Sequence, residues 1–154
     1  SAAPALTQMM ALRVFLNAFK WPKAQNTLTA LAEGILENLA PIIAAKANAN
    51  IPSLAVSLLR NYATLLCDTK SDARIQVLSI AFESVLLASD AHSDFVYLAL
   101  YAIGTLLTKD AQLVLVAQGI GLQETVQVYE DSTQENIQSA AKALSKMFKF
   151  GTAQ

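Results

Sequence analysis

The sequence predicts an all-α fold, and three of its features carry that reading. Of 154 residues, 54% are hydrophobic and only 15% charged, a ratio that calls for helices buried on most sides rather than a disordered chain. Apolar residues recur at helical spacing over most of the length. The β-branched runs Val114-Leu115-Val116 and Thr125-Val126-Gln127-Val128 are too short, in too helical a context, to stand as strands. The third feature is a repeat. Ser57-Leu58-Leu59-Arg60-Asn61-Tyr62-Ala63-Thr64-Leu65-Leu66 lies over Leu98-Ala99-Leu100-Tyr101-Ala102-Ile103-Gly104-Thr105-Leu106-Leu107 at an offset of 41, with Thr-Leu-Leu coinciding. Asn17 lies 44 residues before Asn61 in similarly apolar surroundings. An all-helical period in the low forties is that of armadillo or HEAT units. The expected architecture is an armadillo/HEAT-like, right-handed superhelical array of about six to eight helices. The chain is long enough to give such a single domain a sizeable core.

Each element has its own signals. Pro4 suits a first helical turn, and apolar periodicity carries the first helix to about Phe19. Trp21-Pro22-Lys23 breaks the chain there. Thr27 is a candidate cap for a second helix from about Leu28 to Ala45, which Gly34 weakens and Pro41 is expected to kink or split. Asn48-Ala49-Asn50 is a turn, with Asn50 as N-cap and Pro52 in the first turn of a third helix that runs to about Leu66. Ser71-Asp72 opens a fourth helix, to about Leu87, and Ser89 to Ser93 is a loop. A fifth helix follows to about Leu107, and Lys109-Asp110 opens a short sixth that stops at Gly119. Gly119-Ile120-Gly121 is a corner before a short helix over about Leu122 to Tyr129. Ser132-x-x-Glu135 is a capping-box pattern for a last helix to about Lys149, ended by Gly151. Residues 1–4 read as linker or remnant ahead of a domain at 5–150. Ser1-Ala2-Ala3 lacks an initiator Met, as in a domain taken from a longer chain.

Composition excludes several function classes. A net charge of -1 is not that of a general nucleic-acid binder. No run approaches the ~18 unbroken apolar residues of a membrane span, and no signal peptide is visible. The single cysteine, Cys67, excludes an internal disulfide and, set in an apolar helix, fits a reducing compartment, cytoplasmic or nuclear. A catalytic reading has only Cys67 and His92 to use, with no third group to orient them. A metal site cannot be assembled from one Cys and one His; Asp90, His92 and Asp94 read as helix capping and solvation. Gly119-Ile-Gly121 lacks both the Lys and the preceding strand of a phosphate loop. The sequence therefore predicts no catalytic residue, no metal and no cofactor.

What remains is a surface for another chain. Residues 1–79 carry seven Lys/Arg against four Asp/Glu, and residues 80–154 four against eight, so the N-terminal half is basic. Arg13, Asn17 and Lys20 sit at i, i+4 and i+7 on an otherwise apolar helix. The third helix repeats such a stripe with Ser53, Ser57, Arg60, Asn61 and Thr64, and the fifth with Tyr97, Tyr101, Thr105 and Thr108. In α-solenoids one helix of each unit lines a groove, so the first, third and fifth helices would make an Arg/Asn/Tyr-lined trough. That mixture suits an extended peptide: Asn amides pair with its backbone, Arg and Lys take its carboxylates, and Tyr gives flat contact area. The alternative is that the Asn and Thr side chains merely satisfy polar groups between helices.

Ala11-Leu12-Arg13-x-Phe15-x-Asn17-x-Phe19 resembles the opening of the PUL domain. So do Asn50-Ile51 with Asn61-Tyr62 eleven residues on, and Ala102-Ile103-Gly104-Thr105-Leu106-Leu107. The resemblance runs from about Pro4 to Phe150, in the order and spacing of its parts rather than in one motif. It implies an armadillo-like fold that binds the acidic C-terminal tail of the ubiquitin-selective AAA segregase ATPase (valosin-containing protein) in a basic groove. Carried over by position, Arg13, Asn17, Asn61 and Tyr62 match the Arg, Asn, Asn and Tyr of the pattern. Members of the family also carry an aromatic-Arg pair about six residues before the Gly-Thr/Asn, where this chain has Tyr97-Leu98. The second groove Arg must then come from Arg60 or Arg74, or tail binding is weaker, or the partner differs. The resemblance also allows a second role: an accessory domain packed against a peptidase or thioredoxin-like neighbour in the parent chain. The expected peptide-binding set is Arg13, Asn17, Lys20, Arg60, Asn61, Tyr62, Tyr97 and Tyr101, with Lys23 adding to the field.

Overall fold

The computed structural model describes residues 2–44, 50–88 and 93–151. Among them are nine α-helices, two short 3-10 turns and no strand. The helices are α1 (Ala2–Ala18), α2 (Gln25–Ala30), α3 (Ala32–Ala44), α4 (Asn50–Leu66), α5 (Ala73–Leu87), α6 (Ser93–Lys109), α7 (Ala111–Gly119), α8 (Leu122–Val128) and α9 (Glu135–Gly151). Helix α1 starts at Ala2, inside the segment expected to be linker.

The helices pack in two rows. α1, α4, α6 and α9 are successive neighbours in the first. α3, α5 and α8 follow one another behind them, with α3 against α4, α5 against α6, and α7 and α8 against α9. This is the two-helix stacking of an armadillo-like array, and it puts α4 and α6 at the centre. Ala55, Val56, Leu58, Leu59, Tyr62, Ala63 and Leu66 of α4 are fully buried, as are Ala99, Ala102, Ile103 and Leu106 of α6. Each such Leu or Ile contributes about 1.5–3 kcal/mol of transfer free energy. Helix α9, amphipathic through Ile137, Ala141, Leu144 and Phe148, adds the last layer to the row instead of lying across its face.

Two expectations fail for physical reasons. The second predicted helix breaks at Leu31, where α2 and α3 meet at a bend of 78°, and not at Pro41. The Leu28 carbonyl, which an unbroken helix would offer to the Ala32 N–H, instead accepts from the buried Tyr62 hydroxyl at 3.0 Å. Pro41 stays inside α3; it and Glu37, whose carbonyl lacks a proline N–H to meet, are both exposed, so water can serve that carbonyl. The expected capping box before the last helix is also absent: Ser132 Oγ accepts from the Gln134 N–H at 3.1 Å, and the Gln134 carbonyl accepts from the Gln138 N–H. Asp110, by contrast, caps α7, accepting from the Gln112 N–H at 2.9 Å. The corner at Gly121 has φ of 86°, a conformation that glycine adopts without strain. Asn48, Ala49, Ser89, Asp90 and His92 lie outside the described residues.

No single helix among the described residues is long and apolar enough to cross a membrane, and none of their His, Cys, Asp and Glu side chains gather into a metal-binding group. Cys67 is buried, its thiol donating to the Thr64 carbonyl at 3.2 Å.

Candidate functional site

The row α1, α4, α6 carries all three predicted stripes. On α1, Gln8, Ala11 and Phe15 line a gap toward α3. At about 100° per residue, Arg13 and Asn17 point to the opposite flank. Both are exposed. Lys20 is exposed too, but it follows the end of α1 in a turn, its N–H bonded to the Asn17 carbonyl at 3.0 Å.

On α4, Arg60 and Thr64 are exposed and Ser53, Ser57 and Asn61 half-buried. On α6, Tyr101 is exposed and Tyr97 half-buried. The two stripes touch. The Arg60 guanidinium lies over the Tyr101 ring, 5.2 Å from its centre, and the Tyr97 and Tyr101 rings are 6.2 Å apart. An exposed cation-ring contact of this kind is worth about 0.5–1 kcal/mol and holds the long Arg side chain in place.

Four hydroxyls of the stripes bond within their own helices. Ser57 donates to Ser53 O, Thr64 to Arg60 O, Thr105 to Tyr101 O and Thr108 to Gly104 O, each one turn back in its own helix. Their donors are thus used locally while their oxygens can still accept.

Tyr62 does not belong to this surface. It is fully buried, donates to Leu28 O, and stands nearly perpendicular to the Phe19 ring at a centroid distance of 4.9 Å. Burial pushes its phenol up from 10.0 to about 12. It fastens α2 to α4 and has no contact to offer a peptide.

The two candidate replacements for the missing Arg separate clearly. Arg74 pairs with Asp110 at 2.7 Å and donates its Nε to Ser71 O at 3.1 Å, joining α5 to the start of α7. The other ion pair among the described residues is Lys109 with Asp68, at 3.4 Å. Arg13 and Arg60 therefore face solvent with no carboxylate among the described residues. Leu98 is half-buried on α6, packed against the core.

A cleft of about 380 Å³ adjoins this surface between α6 and α9, with Tyr101, Thr105, Thr108 and Lys109 at its edge and Gly104, Ala140, Ala143 and Met147 among its lining. The sequence signal for it, small residues three apart on α9, is weak because alanine is as common on helices for propensity as for packing.

The PUL domain model matches residues 1–143. The chain is a PUL domain. PUL domains are armadillo-like, non-catalytic binding modules, and the family is known for binding the AAA segregase ATPase valosin-containing protein. No curated protein and no solved structure matches the chain. The two-row stacking of α1 to α9 agrees with that membership, and so does the breadth of the match, which ends within α9.

Proposed function

We propose that this PUL domain binds the acidic C-terminal tail of the AAA segregase ATPase (valosin-containing protein) on the face of α1, α4 and α6, in the cytoplasm or nucleus. The observation that carries the reading is Arg60, exposed, without a carboxylate partner among the described residues and laid over Tyr101 beside the Tyr97 ring. In this reading Arg13 and Arg60 take carboxylates of the tail, and Lys20 and Lys23 add field at the α1 end. Asn17 and Asn61 hold its backbone, while Tyr97 and Tyr101 give the flat contact area. Arg60 fills the role of the Arg absent at Leu98. Calorimetric titration with the tail peptide tests this. Arg60→Ala is expected to weaken binding about ten- to a hundredfold, the value of a charge-assisted contact. Arg74→Ala should leave affinity unchanged and lower stability instead.

A second reading has its own observation. Leu6, Met10 and Val14 form an exposed apolar stripe on α1, 58%, 60% and 66% accessible. Such a stripe suits packing against a neighbouring domain of a parent chain. The two readings part on ionic strength: tail affinity should fall steeply with salt, whereas an apolar interdomain contact should tolerate it.

A further inference from the structure

Arginine is a long side chain, and a ligand that has to fix a loose one loses part of its binding free energy to that ordering. The structure supports its arginines in two different ways. Arg74 is fixed by Asp110 at 2.7 Å, which also neutralises it and occupies one of its N–H groups. Arg60 has neither a carboxylate nor a hydrogen-bond acceptor among the described residues. Its support is the Tyr101 ring, 5.2 Å from the guanidinium carbon to the ring centre. Tyr101 is itself braced. It stands one helical turn beyond Tyr97 on α6, with the two rings 6.2 Å apart and inclined at 50°. Tyr97 is half-buried and packed against the core. A line of contacts thus runs from the core through Tyr97 and Tyr101 to Arg60, and only its last member is charged.

We infer that Tyr101 is a positioning residue: its ring holds the Arg60 guanidinium in place without neutralising it, and it acts on a bound carboxylate through Arg60. This rests on the tail-docking reading, in which Arg60 takes a carboxylate, and gives Tyr101 a part in it beyond contact area. The chemistry of the pair carries the inference. A ring face attracts a cation through its quadrupole and accepts no strong hydrogen bond, so the N–H groups of Arg60 stay available to a carboxylate. An acidic side chain in the place of Tyr101 would hold the arginine equally well and compete with the ligand for it. The Tyr101 hydroxyl has no hydrogen-bond partner among the described residues, so the ring alone is what the role requires.

The test is a double-mutant cycle read by calorimetric titration with the acidic tail peptide, with thermal melts confirming the fold of each variant. Tyr101→Leu keeps an apolar helix former at a half-exposed position and removes the ring; it should weaken binding about three- to tenfold. Tyr101→Phe keeps the ring and should bind within about twofold of wild type. In an Arg60→Ala background, Tyr101→Leu should change affinity by less than about twofold, because the residue it acts through is gone. A second measurement needs no peptide. The Arg60 Nε–Hε resonance of the free protein should be shifted upfield by the Tyr101 ring current, in wild type and in Tyr101→Phe, and return to the ordinary arginine position in Tyr101→Leu. An ordinary position in wild type would overturn the inference and leave the tail-docking reading standing. So would wild-type affinity in Tyr101→Leu, or an equal loss from Tyr101→Leu with and without Arg60, which would make Tyr101 a direct peptide contact. No binding of the tail peptide by wild type would overturn both.

Discussion

At the scale of single residues, Tyr62 shows how a position can match a sequence pattern and serve a different end. Its neighbour Arg60 turns toward solvent and Asn61 is half-buried, whereas Tyr62, one step further round the helix, enters the core and supplies the hydroxyl that the broken α2–α3 connection lacks. Tyr62→Phe should destabilise the domain by about 1–3 kcal/mol near neutral pH, because the Leu28 carbonyl loses its buried donor. The phenol sits higher in the folded protein than its ordinary 10.0, at about 12. The folded state therefore holds the proton more tightly, and the advantage of the wild type is complete below pH 10 and lost as pH rises through about 12. Denaturant titrations of both proteins across that window should show the gap closing. Leu98 is the complementary case, a half-buried apolar residue packed against the core where the family resemblance places an Arg. Leu98→Arg should strengthen tail binding by up to about tenfold, since Arg60 already supplies one such contact and a second would share the same carboxylates. Titration with the tail peptide checks this.

At the scale of elements, helix boundaries set by local chemistry were legible and those set by distant contacts were not. Asp110 before α7, the Gly121 corner and the start of α5, where Ser71 Oγ accepts from the Ala73 N–H, follow from caps and turn residues that act within a few positions. The break at Leu31 depends on Tyr62, 34 positions beyond the Leu28 carbonyl it serves, and nothing in Gln25 to Ala44 announces it. Pro41 misled in the other direction because its cost depends on whether water reaches the Glu37 carbonyl. Pro41→Ala restores an N–H to that carbonyl and should raise the melting temperature, by an amount corresponding to about 1–3 kcal/mol. Asp110 joins two elements at once, capping α7 and pairing with Arg74 of α5. Both side chains are mostly sheltered, 17% and 21% exposed, so cutting the pair leaves a charge poorly solvated. Asp110→Ala should therefore cost about 2–4 kcal/mol, more than either a cap or an exposed ion pair alone. Chemical denaturation measures it, and tail affinity should not change.

At the scale of the whole molecule, the repeat near forty residues is what made the architecture readable. It placed α1, α4 and α6 in one row before any contact was known, and their polar stripes do lie on accessible flanks. The fourth member of that row was not readable as such. Helix α9 lies outside the repeat, and its contribution, a cleft shaped by small side chains, appears only when Ala140 and Ala143 stand opposite Gly104. Two of the acids are occupied at helix ends, Asp110 by Arg74 and Asp68 by Lys109, while Arg13 and Arg60 stay exposed on the row and Asp94 stands one turn before Tyr97 on α6. On the proposed reading, docking on this row is charge-driven and should be screened by added salt over a Debye length of roughly 10 Å at 0.1 M.

The central claim is that the α1–α4–α6 face holds the acidic tail of the ATPase. The most direct measurement is calorimetric titration of that tail peptide into wild type and Arg13→Ala side by side. The account predicts saturable binding by the wild type, lost or weakened at least about tenfold in Arg13→Ala with the fold intact. No binding by the wild type, or equal binding by both proteins, would contradict it.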